Sequence, residues 1–210
     1  MVVSIDVGQL SEASRALSRV VSLRAAKDGS KCVDNAVLAR LIDAVTRVPW
    51  DAEQAEISRV RTENVNEGLG LYPRVRDLFE GVLIPNIADS PMVFRAYAKL
   101  LTWQGRWADA LKAYMDAYRA GPAGQMQKGE EVGIEAWRET VQEVEEIVDV
   151  LRNFGERAQE QDTGTGKSKW VFQARSIVRT FMGKTRENFE DEPEWQRLVG
   201  LLSELQEERE

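Results

Sequence analysis

The segment "PMVFRAYAKLLTWQGRWADALKAYMDAYRAGP", residues 91–122, constrains the fold of this chain more than any other stretch. Apolar side chains recur every three or four residues on both sides of Gly105, a pattern typical of two amphipathic helices separated by a turn. Aromatic residues alternate with alanines, as closely packed helices require. A single pair of helices cannot bury its apolar face alone, so the segment predicts further helices stacked beside it.

The same segment resembles the 34-residue tetratricopeptide repeat position by position. We expect its two helices to cross most closely at Ala98 and Ala110, where a larger side chain would have no room. The matching residues are therefore predicted to be structural. In chain order they are Phe94, Tyr97, Ala98, Leu101, Gly105, Trp107, Ala110, Tyr114, Ala117 and Pro122.

A second, partial copy stands at the start of the chain, in "GQLSEASRALSRVV". Gly8 and Ala13 match Gly105 and Ala110, but most of the first helix of this repeat is missing. The pattern predicts that the chain is the C-terminal part of a longer solenoid, whose remaining N-terminal part would be a partner of this one. The predicted organisation is a partial repeat at 1–25, divergent helix pairs at 26–90, a full repeat at 91–122 and a helical extension at 123–210 that packs on the solenoid.

Helical periodicity extends through nearly the whole sequence, and strand signals are almost absent. The fold class predicted is all-α, an α–α superhelix of antiparallel helix pairs with a non-repeat C-terminal tail. Ser90 and Glu192 are predicted to cap helices whose first turns contain Pro91 and Pro193. Including these two, helices are predicted at 9–25, 33–48, 71–84, 91–104, 107–120, 169–183 and 193–207. One long helix is predicted to bury Ile134, Trp137, Val141, Val144, Val148 and Leu151 and to expose an acidic face that includes Glu139, Glu143 and Glu146.

Composition argues against several classes of function. The chain has 35 acidic and 28 basic residues, and its net charge of −7 opposes nucleic acid as the principal partner. It has no histidine, which removes the usual partner of a nucleophilic serine or cysteine. Cys32, the one cysteine, is interpreted as a core residue in a reducing compartment. Without a secretory signal or a membrane span in the sequence, we expect a cytoplasmic or nuclear protein.

The stretch "TGTGKSKW", residues 163–170, has part of a phosphate-binding loop. A P-loop requires a glycine five residues before Gly166, where the chain has Gln161, and it should follow a buried strand. The residues before it are polar instead. The enzyme hypothesis is therefore weaker than a flexible linker between two helices, and we expect no catalytic residue, cofactor or metal site.

The order of these features resembles the C-terminal region of the tetratricopeptide repeat protein 27 family. The resemblance rests on the partial repeat, the divergent pair "VLARLIDAVTRV" and "LYPRVRDLFEGVL", the full repeat, and the helix in "WRETVQEVEEIVDVLRNFG". It implies a non-enzymatic scaffold for protein–protein interaction. The resemblance further implies links to cell-wall integrity in fungi and, in animals, to chaperone-assisted assembly of the U5 spliceosomal particle.

Two surfaces are candidates for partner binding. Arg95 and Lys99, one turn apart, could hold a peptide carboxylate, although the asparagines of known carboxylate clamps are absent. The alternative is RNA contact through a basic helix at 167–186, which also has Trp170 and Phe172. Its basic residues are Lys167, Lys169, Arg175, Arg179, Lys184 and Arg186.

Overall fold

The computed structural model describes residues 16, 19, 35–47, 75–86, 90–161 and 166–208. Within these ranges all regular structure is helical, which confirms the all-α prediction. Gly8, Ala13 and Cys32 lie outside the described residues, as does nearly all of the predicted partial repeat. The helices are α1 (Asn35–Val45), α2 (75–86), α3 (Pro91–Trp103), α4 (Trp107–Ala120), α5 (Pro122–Gln127), α6 (Ile134–Gln161), α7 (Gly166–Phe189) and α8 (Pro193–Glu207).

The chain divides into two compact units, Met1–Arg106 and Trp107–Glu210. The boundary between them falls inside the repeat-like segment 91–122, between its two helices. The predicted division after Pro122 stays a prediction.

The first unit has a core formed by α1, α2 and α3. Helix α1 buries one stripe of aliphatic residues at helical spacing, including Leu38, Leu41 and Val45. Between α2 and α3, the rings of Phe79 and Tyr97 stack with centroids 5.4 Å apart. The Tyr97 hydroxyl donates a hydrogen bond of 2.8 Å to Glu80 Oε1. Tyr97 thus packs its ring in the core and satisfies its polar end at the surface.

Helix α2 contains a π-helical turn at Phe79–Leu83, and this turn corrects a predicted boundary. The sequence prediction ended the helix at residue 84 because Pro85 follows, yet the structure continues in helix through Ile84–Asn86. A proline inside an α-helix lacks one donor and its ring clashes with the carbonyl four residues earlier. The wider turn brings the Ile84 N–H to the Phe79 carbonyl, five residues back, and so accommodates the proline that follows.

Helix α3 ends at Trp103, one residue before the predicted end at 104, and Gly105 follows in the predicted turn. Gly105 has a φ of 70°, a left-handed conformation that glycine adopts without steric cost. The Arg106 N–H donates to the Leu101 carbonyl and the Gly105 N–H to the Thr102 carbonyl, each at 2.9 Å. These two bonds form a Schellman motif, which ends the helix and satisfies its last carbonyl groups.

The second unit is organised around α6, a helix of 28 residues that packs on α4 and α7. Trp137 is fully buried, and its ring stacks on Phe189 at 4.6 Å and on Phe181 at 6.5 Å. The predicted buried stripe holds from Trp137 to Leu151. Its first residue does not, because Ile134 begins the helix and is 37% exposed.

One acidic residue of α6 was placed wrongly by the sequence pattern. Glu143 is only 5% exposed, whereas the pattern put it on the acidic face. Helix α6 is covered by more than one neighbour, so a second row of residues beside the predicted stripe, which includes Thr140 and Ile147, is also buried.

Gly155 lies at the closest approach between α6 and α7. A Cβ atom at this position would stand 1.8 Å from Cδ1 of Trp170, far inside van der Waals contact. Glycine is therefore required here for close packing, which outweighs its low helix propensity.

Helix α7 begins earlier and ends later than predicted. Gly166, Lys167 and Ser168 belong to the helix, so the proposed linker is wrong for these residues. Glycine and serine are poor helix formers, but residues near a helix start need few intrahelical bonds. The C-terminal half continues past Gly183 to Phe189, whose ring contributes to the aromatic stack on Trp137.

The predicted helix starts at Pro91 and Pro193 are confirmed, but the capping side chains are not used as expected. Neither Ser90 nor Glu192 makes a side-chain hydrogen bond to its helix. The Glu192 carboxylate instead accepts a bond of 3.1 Å from Arg138 of α6. Burial acts to lower the pKa of Arg138, but the hydrogen bond that it donates to Glu192 and the charges of Glu194 and Glu135 outweigh this effect and raise that pKa.

Candidate functional site

The residues that match the repeat are distributed as a packing role requires. Half of them are buried and the other half are partly buried, so none presents a reactive group on an open surface. Their assignment as repeat positions stays a prediction. The buried ones are Ala98, Leu101, Ala110, Tyr114 and Ala117, and the partly buried ones are Phe94, Tyr97, Gly105, Trp107 and Pro122.

Arg95 and Lys99 lie one turn apart on α3, as predicted. Lys99 is exposed, whereas Arg95 is partly buried and already interacts within the protein. The use of this pair as a carboxylate clamp stays a prediction.

The outer face of α7 is the most unusual surface in the described part of the chain. Trp170, Val171 and Phe172 are consecutive large apolar residues, and one helix cannot turn all three toward the same core. Trp170 and Val171 are buried at 5% and 1% exposure, which leaves Phe172 exposed at 74%. An exposed ring of this kind marks an interaction surface when apolar or charged groups surround it.

Phe172 separates two shallow grooves, which together with the ring we call the α7 face. One groove, of about 310 Å³, is basic, and its lining consists of Phe172, Arg175, Ser176, Arg179 and Thr180. The other, of about 320 Å³, is mainly apolar, and its lining consists of Leu111, Met115, Leu151, Phe172, Gln173, Ser176 and Ile177. Because residues of α4, α6 and α7 form the apolar groove together, its shape depends on the packing of the second unit.

Arg175 and Arg179 differ from the other arginines of this unit. Among the residues that the structure describes, neither has an ion-pair partner, and Nε of Arg175 is buried without a hydrogen bond. The other arginines beyond Trp107 whose side chains the structure describes each contact a carboxylate. These pairs are Arg119 with Asp116, Arg138 with Glu135, Glu192 and Glu194, Arg152 with Asp149, Glu204 and Glu208, Arg186 with Glu190, and Arg197 with Glu145.

The basic helix proposed to contact RNA thus presents only part of its predicted positive charge as unpaired surface charge. Lys184 is exposed, but Arg186 donates a 2.8 Å hydrogen bond to Glu190, which raises the pKa of Arg186 and offsets its charge. The side chains of Lys167 and Lys169 lie outside the described part. Sequence reasoning found Arg175 and Arg179 but missed the apolar groove, because its residues come from three separate helices.

The described residues contain no cluster of three or more acidic, cysteine or histidine side chains placed to hold a metal ion. No helix among them is long and apolar enough to cross a membrane.

An all-α fold of helices that pack on their neighbours is consistent with the class of TPR-like helical-repeat proteins. The chain is 26% identical over 205 residues to a TPR repeat-containing protein of Schizosaccharomyces pombe. It is 25% identical over 207 residues to the "Essential for maintenance of the cell wall protein 1" of Saccharomyces cerevisiae. Both matches cover 98% of this chain and confirm its resemblance to that tetratricopeptide repeat family.

The chain spans less than a quarter of the length of either relative, 23% of the first and 21% of the second. No protein-family model matches the chain, and no solved structure does.

Proposed function

We propose that this chain is a non-catalytic scaffold segment that binds other proteins, and that the α7 face is its binding surface. The observation that carries the proposal is the exposure of Phe172 at 74% between a basic and an apolar groove. Exposed aromatic and arginine side chains are enriched in protein interfaces and provide much of their binding energy. The similarity to a TPR repeat-containing protein supports the same class of function.

A narrower role is proposed from the relatives. The name of the Saccharomyces cerevisiae relative suggests a role in cell-wall maintenance. The family resemblance suggests an assembly factor or co-chaperone, for example in U5 particle biogenesis, acting in the cytoplasm or nucleus. Such a role would be shared with the remaining N-terminal part of a longer protein.

Site-specific photo-crosslinking tests the binding surface. A photoreactive amino acid replaces Gln173, which lines the apolar groove, or Asn188, which is exposed on the same helix away from both grooves. In cells that express the protein natively, we expect protein adducts at position 173 that are absent at position 188. Phe172→Ala should abolish these adducts. Phe154→Ala should not, because Phe154 is also exposed, at 40%, but lines neither groove. Equal adducts at both positions would contradict the proposal.

RNA contact is the second candidate function, and the two uncompensated arginines beside an exposed ring favour it. Aromatic stacking combined with cationic groups is a common way to hold single strands. A mobility-shift assay at two salt concentrations tests the idea, since phosphate contacts weaken steeply as salt rises. Binding that is absent, or indifferent to salt, rules it out.

A further inference from the structure

We infer that the α7 face takes an acidic amphipathic peptide helix, with an apolar side chain in the apolar groove and carboxylates on Arg175 and Arg179. This inference rests on the proposed function and names the chemistry of the partner. It follows from the shape of the grooves, from the spacing of the charges, and from the ion pairs made elsewhere in the unit.

The apolar groove sets the first requirement. Leu111, Met115, Leu151 and Ile177 supply its apolar lining, and its volume is about 320 Å³. Apolar cavities of about half that size take a benzene ring, so a leucine or phenylalanine side chain fits. Burying such a side chain together with the ring of Phe172 would remove apolar surface from water on both partners.

The spacing of the charges sets the second requirement. Arg175 and Arg179 stand four residues apart on one helix, which places them about 6 Å apart along its axis. Two carboxylates three or four residues apart on a partner helix have the same spacing. Arginine binds carboxylates by paired, charge-assisted hydrogen bonds, so this match gives register as well as attraction. Helix-in-groove recognition of this kind uses apolar anchors on adjacent turns.

Charge complementarity decides between protein and RNA. Of the seven arginines beyond Trp107 whose side chains the structure describes, five are neutralised by carboxylates of the chain itself, which leaves Arg175 and Arg179 for an external anion. An RNA backbone would need a longer track of cations, and the next arginine along α7 is bound to Glu190. RNA also offers no aliphatic group for the apolar groove. Two charges beside an apolar groove fit an acidic peptide better.

Selection from a random 16-residue peptide library displayed on phage, with the whole chain as bait, tests the inference. We expect enriched peptides to have two acidic residues three or four positions apart and a leucine, phenylalanine or tryptophan beside them. The double variant Arg175→Glu, Arg179→Glu should weaken a synthesised, enriched peptide by about tenfold or more. Lys184→Glu is the matched control, because Lys184 is exposed on the same helix but lines neither groove.

Folding is checked by thermal melting of both variants, and we expect no large change because the two arginines make no ion pair in the described part. Replacing the two acidic residues of the peptide by lysine should restore binding to the double variant, which a merely destabilised protein would not show. Absence of acidic enrichment, or equal binding to the double variant, overturns the inference. A uridine oligomer that binds wild type and loses its affinity in the double variant overturns it in favour of RNA. If crosslinking at position 173 still finds a partner in these cases, the surface is correct and only the partner chemistry is wrong.

Discussion

At the scale of single residues, Gly155 gives the sharpest test of the packing. Gly155→Ala places a methyl group 1.8 Å from the Trp170 ring, so we expect it to destabilise the fold by about 1–3 kcal/mol. Gly183→Ala is the matched control, because a Cβ there meets nothing within 4 Å and alanine is the better helix former. Urea unfolding of both variants makes the measurement, and equal stabilities would contradict the described crossing of α6 and α7.

Ala110 tests the predicted repeat. It is fully buried on α4, so Ala110→Leu should overpack its surroundings and cost about 1–3 kcal/mol. Ala108 is exposed on the same helix, and Ala108→Leu should change the stability little. The repeat register is wrong if both variants melt at the temperature of the wild type.

The residues that sequence reasoning misplaced share a physical cause. Periodicity identifies the best buried stripe of a helix, but it cannot show how many neighbours cover that helix. Glu143 was therefore expected on the surface and is buried, while Ile134 was expected in the core and is 37% exposed at a helix start. For the same reason the sequence identified Arg175 and Arg179 as basic residues without showing that they are the ones left without ion pairs.

At the scale of helices, boundaries were predicted well where a glycine or a proline marks the start of the helix. The bounds of α4 and α8 agree with the prediction. Gly105 lies two residues before the start of α4, and Pro193 is the first residue of α8. The prediction failed where local signals were weaker than the packing. Helix α7 includes Gly166 and Gly183 because its buried side contacts α6 and α8, and these contacts outweigh the propensity of two glycines.

Helix α6 contacts its neighbours through an aromatic stack at Trp137 and through an ion-pair cluster at the adjacent Arg138. Substitution of each residue compares the contributions of the two contacts to stability. Trp137 is fully buried between Phe181 and Phe189, so Trp137→Ala should cost about 3–5 kcal/mol. Arg138 joins Glu192 and Glu194 at the start of α8, but this cluster is partly open to solvent, where water and salt screen ion pairs. Arg138→Ala should therefore destabilise the protein less than Trp137→Ala in urea unfolding. A larger effect of the arginine variant would show that the ion cluster, rather than the aromatic stack, dominates this contact.

At the scale of the whole molecule, the charge distribution separates stability from binding. The chain has a net charge of −7 and yet has a local basic groove. Most arginines of the second unit form ion pairs with carboxylates of the chain, whereas Arg175 and Arg179 in the groove form none within the described part. The total charge, which follows directly from the sequence, therefore predicts that an anion is repelled at long range. It does not predict where an anion binds at short range.

The secondary structure of the complete chain is the last prediction. Helical periodicity extends through segments that the structure does not describe, notably 9–25, although the short stretch "VSIDV", residues 3–7, alternates apolar and polar residues as a strand does. Since neighbouring helical repeats bury each other's apolar faces, those segments should fold as helices beside the described ones. We expect far-ultraviolet circular dichroism of all 210 residues to show a dominant helical signal without a measurable strand component. Substantial strand content would mean that the undescribed segments pair as a sheet, and the all-helical repeat model would then hold only for the residues described.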